Sequence, residues 1–268
     1  MKTLVTGANG QLGTEMRNIL EEKYPGHTLY TDVAELDITD ADAVKAFVRD
    51  NDITHIVNCA AYTAVDKAEE DKALSAAINI DAVRNLANAA DAVGAKVLHV
   101  STDYVFDGTA CRPYKESDKV NPVSQYGTTK RQGETALLAL APESIIVRTA
   151  WLYSPYGKNF VKTMIRLGRE RAVLKVVSDQ IGTPTYAADL AAAIYAILLS
   201  PQWIPGIYHF SDEGACSWYD FTKAIHRIAG ITTCDVQPIP TEDYPTAATR
   251  PFYSILDKSK IKATYGIT

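Results

Sequence analysis

Short apolar runs alternate with amphipathic segments through the first 150 residues of the chain. Brief continuous apolar runs are typical of parallel strands that are buried on both faces, and they predict strands at 3–6, 27–31, 55–61 and 96–100. Between them, Ala43, Val44, Phe47 and Val48 fall on one face of a predicted helix at 41–50, which Thr39 or Asp40 would cap. A longer helix is predicted at 72–93. This alternation indicates right-handed βαβ units and an open, doubly wound parallel sheet.

The pattern becomes irregular after Trp151, where prolines separate shorter elements. A helix at 187–199 is apolar nearly all round and is expected to pack on the first sheet, which a strand at 206–210 is expected to join. The sequence therefore predicts a main domain of residues 1–150 with about 186–210. A smaller, discontinuous α/β substrate domain is predicted from about 151–185 and 211–268, including a helical segment at 256–265.

Three glycines, Gly7, Gly10 and Gly13, follow the first predicted strand and open a helix. In a dinucleotide-binding turn the first glycine permits the sharp bend, the second lets the backbone approach a pyrophosphate, and the third permits close helix packing. The helix N-terminus then offers N–H groups to the phosphates. An ordinary tight turn is the alternative. Because Asp32 ends the second strand about 20 residues on, the context favours a Rossmann-type cofactor site.

Two further segments are ambiguous in this half. Asp37 and Ile38 lie where a loop would contact an adenine, although a helix-capping turn accounts for them equally well. Cys59, Ala60 and Ala61 end the third strand with small side chains, which suit either a cofactor ribose or a crowded helix–sheet contact. The residues alone leave both alternatives open.

Composition excludes several classes of protein. The 268 residues carry 27 basic and 32 acidic side chains, and no basic run has the length that marks a nucleic-acid partner. No apolar run approaches the roughly 18 residues of a membrane span, and a strand begins directly after Lys2, so we expect a cytoplasmic protein without a membrane partner. The cysteines form no CxxC pair and the histidines no ligand spacing, so no metal site is expected.

Tyr126 and Lys130 are four residues apart and share one face of a predicted helix. A phenol has an ordinary pKa near 10, and a neighbouring ammonium would stabilise its phenolate. Such a group suits carbonyl reduction, because the alkoxide formed by hydride addition has to be protonated. By itself the pair is also typical of a solvated helix face. It gains weight because Ser101, Thr102 and Asp103 emerge about 25 residues earlier, at a strand end where ligands collect.

Together, the glycine pattern, Thr102 and the Tyr126–Lys130 pair resemble the extended short-chain dehydrogenase/reductase superfamily. Five further blocks, in this order along nearly the whole chain, are similar to dTDP-4-dehydrorhamnose reductases: residues 58–69, 101–108, 148–153, 159–164 and 179–185. The superfamily motifs are moderately specific, whereas these blocks are specific to that reductase group.

The resemblance implies a role for each matching residue. Tyr126 would donate a proton to the C4 oxygen of a keto sugar, Thr102 would hydrogen-bond that oxygen, and Lys130 would lower the pKa of Tyr126 while holding the nicotinamide ribose. The implied cofactor contacts, besides Tyr126 and Lys130, are Gly7, Asn9, Gly10, Gln11, Leu12, Gly13, Asp32, Asp37, Ile38, Ala60, Ala61 and Thr63. The implied sugar-nucleotide contacts, besides Thr102 and Tyr126, are Val65, Asp103, Tyr104, Trp151 and Arg250.

Three of these substrate assignments have specific qualifications. Trp151 beside a strand end also fits core packing. Arg250 also fits a solvated loop, although its fork of donors suits a diphosphate. Tyr104 follows Asp103 where the related nucleotide-sugar 4,6-dehydratases have a glutamate, so the acid needed for water elimination is missing and Asp103 is expected to fix the loop.

The resemblance implies reduction of dTDP-4-dehydro-6-deoxy-L-mannose to dTDP-L-rhamnose by NADH or NADPH. Another nucleotide-sugar reductase or epimerase is an alternative, as is a regulatory subunit like that of methionine adenosyltransferase. Asp32 favours NADH, because its carboxylate suits a ribose 2′-hydroxyl and would repel a 2′-phosphate. In some members of the group Mg²⁺ bridges a homodimer through an acidic residue that matches Glu15. Dipole compensation by a carboxylate in the first helical turn is the favoured interpretation of Glu15.

Overall fold

The computed structural model describes residues 1–267. Its strands are β1 (Thr3–Thr6), β2 (Thr28–Thr31), β3 (His55–Asn58), β4 (Lys96–Thr102), β5 (Ile145–Thr149), β6 (Leu152–Tyr153), β7 (Val173–Val177), β8 (Ile181–Gly182), β9 (Thr185–Tyr186), β10 (Gly206–His209), β11 (Cys216–Ser217) and β12 (Asp235–Ile239). Its α-helices are α1 (Gln11–Lys23), α2 (Ala41–Asp50), α3 (Lys72–Ala76), α4 (Ala82–Val93), α5 (Gln125–Leu140), α6 (Phe160–Glu170), α7 (Ala187–Leu199), α8 (Trp218–Ile228) and α9 (Ser259–Tyr265).

Six parallel strands form the main sheet, in the order β10-β5-β4-β3-β1-β2. The chain order reverses between β1 and β3, which is the place where open α/β sheets bind ligands at the carboxyl ends of their strands. Apolar cores cover both faces of the sheet, one packed against α2 and α4 and the other against α1 and α7. The predicted doubly wound α/β fold is confirmed.

Most predicted elements of this sheet are confirmed with small shifts of their ends. The helix at 41–50 has the predicted bounds, and the Asp40 side chain caps it by accepting from the N–H groups of Asp42 and Ala43. The helix predicted at 72–93 is interrupted by a π-helical segment at Ala77–Asp81. The strand predicted at 55–61 ends at Asn58, whereas β4 continues to Thr102.

The helix expected to pack on the first sheet does so, because Leu190 and Ile194 of α7 share a core with Val5 of β1. The strand predicted at 206–210 joins the sheet next to β5. The helical segment predicted from residue 256 begins at Ser259 instead. Leu256 is buried and pairs with Tyr114 in a β-bridge, so tertiary contacts replace the helix there.

Residues of α6, β7, α8 and β12 form a separate apolar core that includes Met164, Leu174, Ile225 and Val236. These elements lie within the segments predicted to form a substrate domain. Ile261 of α9, in contrast, is buried with Tyr208 in the core beneath the main sheet. The two-domain division stays a prediction. No helix among residues 1–267 is both long and apolar enough to cross a membrane.

Candidate active site

The glycine loop after β1 has the geometry that its sequence predicts. Gly7 has a φ of +64°, which favours glycine, and a side chain there would collide with the backbone of Ala60. A side chain at Gly13 would overlap the backbone of Gly7 and Ala8, so this glycine permits the helix to begin directly against the loop. Gly10 caps α1 without a side-chain hydrogen bond, and the first turn carries no acidic residue. The positive end of the helix is therefore open to an anion.

A cavity of about 390 Å³ opens beside this loop at the switch point of the sheet. The predicted cofactor residues that line it are Gly7, Gly10, Asp32, Asp37, Ile38, Ala60 and Ala61. Asp37 also accepts hydrogen bonds from the backbone N–H and hydroxyl of Thr39, so it both lines the cavity and forms the capping turn. These bonds lower the pKa of Asp37. Among residues 1–267, no Lys or Arg lines this cavity.

The other predicted cofactor residues differ in their exposure and in their hydrogen bonds. Asn9 is exposed, and its N–H donates to Asp32 Oδ2 over 3.1 Å. Gln11 Oε1 accepts from Asn159 Nδ2 over 2.8 Å, which connects the loop to the segment before α6. Leu12 is buried in the apolar core, so only its backbone is available to a phosphate. Thr63 is exposed and lies outside the cavity lining.

Thr102 and Tyr126 lie at neighbouring ends of β4 and α5. The N-terminus of α5 approaches the 3₁₀ turn that follows β4 closely, because a side chain at Gly127 would overlap the carbonyl of Tyr104. Ser124 caps the helix through the N–H of Gly127, and Glu69 Oε1 accepts from the N–H of Gln125 over 2.8 Å. The Ser124 cap and the Glu69 carboxylate thus hold the N-terminus of α5, which carries Tyr126, near the carboxyl end of β4.

The hydroxyl of Thr102 donates to Asp103 Oδ1 over 3.0 Å and accepts from the N–H of Tyr104. Burial raises the pKa of Asp103 to about 6, against the hydrogen bonds that it receives. Burial also raises the pKa of Tyr126 to about 12, with a contribution from the charge of Asp103, whereas Thr102 acts in the opposite direction. The phenol is therefore protonated at neutral pH and able to act as an acid.

Lys130 is buried one helical turn after Tyr126, and its amine donates to the carbonyl of Val100 over 2.7 Å. Burial lowers the pKa of Lys130 to about 8. The amine thus points toward β4. The pKa of Tyr126 is shifted by burial and by two neighbouring residues, Thr102 and Asp103. The expected stabilisation of the phenolate by Lys130 stays a prediction.

The predicted substrate residues differ in what they contact. Tyr104 meets the Tyr126 ring edge-on, with ring centroids 5.5 Å apart. Arg250 is not the solvated loop charge considered as an alternative: its guanidinium binds both carboxylate oxygens of Asp66, over 2.6 and 3.0 Å. Val65, next to Asp66, is partly buried.

Trp151 follows β5 with a φ of +46°, which is uncommon for a bulky residue. Its ring stacks on Trp218, with centroids 3.4 Å apart and an interplanar angle of 9°. Trp218 begins α8 and donates to the Gln180 side chain. One face of the Trp151 ring thus packs against Trp218, as the core-packing alternative expected.

The interpretation of Glu15 as a first-turn carboxylate is wrong. Glu15 lies in the second turn of α1, is only 7% exposed and accepts from Asn18 Nδ2. A buried position does not compensate the exposed helix end. Within residues 1–267, no group of three or more His, Cys, Asp or Glu side chains is arranged to hold a metal ion.

Sequence reasoning missed several polar residues that position the site. Asn79, in the π-helical segment, bonds the backbone of Tyr62 and the hydroxyl of Thr129, next to Lys130. Glu134 and Arg148 form a buried ion pair over 2.7 and 2.8 Å between α5 and β5. The only sequence signal for Asn79 and Glu134 was that each is a polar residue on the buried face of a predicted helix.

Comparison with known proteins identifies the family of this chain. A dTDP-4-dehydrorhamnose reductase from Aggregatibacter actinomycetemcomitans is 44% identical over 99% of this chain and 94% of its own length. A crystal structure of such a reductase from Clostridium acetobutylicum is 48% identical, covers 98% of this chain and 92% of its own, and has a TM-score of 0.94. The Bacillus anthracis reductase in complex with NADP is 43% identical, covers 98% and 93%, and has a TM-score of 0.92. The family model described as RmlD substrate binding domain matches residues 1–268, and the chain therefore belongs to that family.

Proposed function

We propose that this protein is an oxidoreductase that uses NADH or NADPH to reduce the C4 keto group of dTDP-4-dehydro-6-deoxy-L-mannose, giving dTDP-L-rhamnose. The observation that carries the proposal is that the Thr102 hydroxyl at the end of β4 acts on the Tyr126 phenol of α5, while the amine of Lys130, one helical turn later, binds Val100 of the same strand. Relatives named dTDP-4-dehydrorhamnose reductase over nearly the full chain support the substrate.

In this reaction the bound nicotinamide supplies a hydride to C4. The negative charge that develops on the C4 oxygen is met by the proton of Tyr126, and Thr102 hydrogen-bonds the same oxygen. Lys130 holds the nicotinamide ribose, and its positive charge favours the Tyr126 phenolate once the proton has left. Solvent then returns a proton to Tyr126, so one hydride and one proton are consumed for each alcohol formed.

Thr102 has to change its hydrogen bond during this cycle. The single proton of its hydroxyl is donated to Asp103 Oδ1, so donation to the substrate oxygen requires rotation of the hydroxyl away from that carboxylate. The expectation that Asp103 only fixes the loop is therefore extended: we propose that it also controls the direction in which Thr102 donates.

The nucleotide sugar is proposed to lie between Tyr104, Val65, Trp151 and Arg250. Since Asp66 neutralises Arg250, a diphosphate would have to share or replace this carboxylate. Three expectations stay predictions. They are that the elements around the separate apolar core of Met164 and Ile225 close over the sugar, that the protein forms a homodimer, and that it is located in the cytoplasm.

The choice of nicotinamide cofactor rests on Asp32, which lines the cavity where no Lys or Arg among residues 1–267 accompanies it. This favours NADH, whereas the NADP bound to the Bacillus anthracis relative shows that a similar protein accepts the phosphorylated form. We expect a higher kcat/KM with NADH. A strong preference for NADPH would contradict the role given to Asp32.

The test of function is turnover of the keto sugar followed by nicotinamide absorbance and product identity, in wild type and Tyr126→Phe. Loss of the proton donor is expected to lower kcat by about 10²- to 10⁴-fold while cofactor binding remains. Tyr104→Phe is the matched control, because it removes a neighbouring phenol that transfers no proton in this scheme. Wild-type turnover by Tyr126→Phe would refute the assignment. Cofactor binding without any turnover by the wild type would favour the regulatory-subunit alternative.

A further inference from the structure

Lys130 contacts a buried histidine that the proposed reaction does not use. His99 of β4 is 1% exposed, and its Nε2 lies 3.3 Å from Lys130 Nζ. Its Nδ1 lies 3.0 Å from Asn58 Nδ2, at the end of β3. Burial lowers the pKa of His99 well below its ordinary value, so the ring is neutral. A neutral imidazole has one N–H and one lone pair, so the two ring contacts must differ in kind.

The orientation of the Asn58 amide decides which nitrogen carries the proton. Asn58 Oδ1 lies 3.1 Å from the backbone nitrogen of Ala60, and a backbone N–H can only donate. The hydroxyl of Thr6 donates to the same oxygen over 2.7 Å. The amide oxygen is therefore fixed on that side, and the NH₂ group is directed at His99. His99 Nδ1 must accept, which leaves the ring proton on Nε2.

This tautomer directs an N–H at the amine of Lys130. An ammonium group has donors only, so it cannot accept that proton, and Val100 is the carbonyl that satisfies it on this side. We propose that Asn58 holds His99 as the Nε2–H tautomer and that His99 thereby denies Lys130 a second protein acceptor. His99 and Asn58 are then positioning residues that reserve the remaining donors of Lys130 for an incoming ligand.

The other charged and titratable groups around Lys130 do not replace this acceptor. Glu134, on the same helix, is held by Arg148 of β5. Cys59, at the end of β3, is a buried thiol whose pKa is raised to about 12. Glu134 favours the charged amine and burial outweighs it, whereas the Cys59 thiol is neutral near pH 7 and adds no charge. Only the identity of the ligand, the hydroxyl groups of a nicotinamide ribose, rests on the proposed function.

The tautomer is measured directly by ¹⁵N NMR of the histidine ring nitrogens in the wild-type protein, with His99 assigned from its loss in His99→Gln. Two other buried histidines serve as internal references. His209 Nδ1 lies 3.0 Å from the carbonyl of Tyr114 and so carries its proton on Nδ1. His226 Nε2 lies 3.0 Å from the carbonyl of Met164 and so carries it on Nε2. We expect the His99 pattern to match His226. A match to His209, or a charged ring, would overturn the inference.

The consequence for Lys130 is tested with Asn58→Asp, which keeps the shape of the side chain but offers His99 an acceptor. The ring proton is expected to move to Nδ1, so that Nε2 accepts from Lys130. The alkaline limit of kcat/KM should then rise by about one pH unit or more, because the ammonium gains an acceptor and a nearby negative charge. Thr6→Val is the control for the tautomer, because it leaves the Ala60 N–H that orients Asn58.

The outcomes separate the inference from the proposed function. A rise in the alkaline limit while His99 keeps its Nε2–H pattern would show that charge alone acts, and would overturn the positioning role of the tautomer. If the wild type shows no turnover, the proposed function fails, and the NMR pattern still decides the tautomer. If Asn58→Asp does not fold, the wild-type spectrum decides it alone.

Discussion

Ionisation of Asp103 is predicted to destabilise the folded protein as the pH rises from about 4 to about 6. The carboxyl is 2% exposed, and burial raises its pKa from 3.8 to about 6. The folded state therefore holds a proton between these pH values that the unfolded state has lost. At about 1.4 kcal/mol for each pH unit, ionising Asp103 in place lowers the free energy of unfolding by about 3 kcal/mol. The loss develops as the pH rises from about 4 to about 6 and then stays constant.

Asp103→Asn removes this titration. Its altered hydrogen bonds change stability by an amount that does not depend on pH, so the informative quantity is the difference between variant and wild type at each pH. We expect that difference to move by about 3 kcal/mol in favour of the variant between pH 4 and pH 7. Urea denaturation across this range measures it, with the exposed Asp91→Asn as a control for the loss of one carboxylate charge. Parallel stability curves for Asp103→Asn and wild type would refute the reasoning.

Further predictions concern the ion pair and the glycine loop. Glu134→Gln should lower the free energy of unfolding in urea by about 3–5 kcal/mol, because it leaves Arg148 charged and buried without its partner. The partly exposed Arg131→Ala should cost at most about 1 kcal/mol, and equal losses would contradict this view. Gly13→Ala should destabilise the fold by about 1–3 kcal/mol, since its side chain would overlap Gly7 and Ala8. Gly10→Ala should fold normally but bind NADH more weakly in a titration, because its side chain meets only Gly7 O at 3.3 Å while facing the anion site. Full affinity in Gly10→Ala would argue against the loop as the pyrophosphate site.

The periodic part of the sequence predicts most of the fold. Parallel strands buried on both faces leave continuous apolar runs, so β1, β3 and β4 are found from the pattern of apolar residues along the chain. Asp40 caps α2 where capping chemistry places it. The glycine loop is predictable for the same reason, since few residues other than glycine tolerate the φ of Gly7 and the crowding at Gly13.

Long-range polar contacts are the part that the sequence does not predict. Asp66 and Arg250 are 184 residues apart, and neither belongs to a periodic pattern that would pair them. The Asn58–His99–Lys130 arrangement depends on the register of β3 against β4, which places Asn58 opposite His99. Leu256 shows the same limit for secondary structure: its pattern is helical, but a bridge to Tyr114 outweighs local propensity.

The most direct test of the proposed reductase is to supply purified protein with NADH or NADPH and dTDP-4-dehydro-6-deoxy-L-mannose, and to follow nicotinamide oxidation together with product identity. The account predicts that each oxidised nicotinamide yields one dTDP-L-rhamnose, and that Tyr126→Phe loses this activity while still binding the cofactor. A wild-type protein that binds NADH or NADPH but leaves the keto sugar unchanged would contradict it.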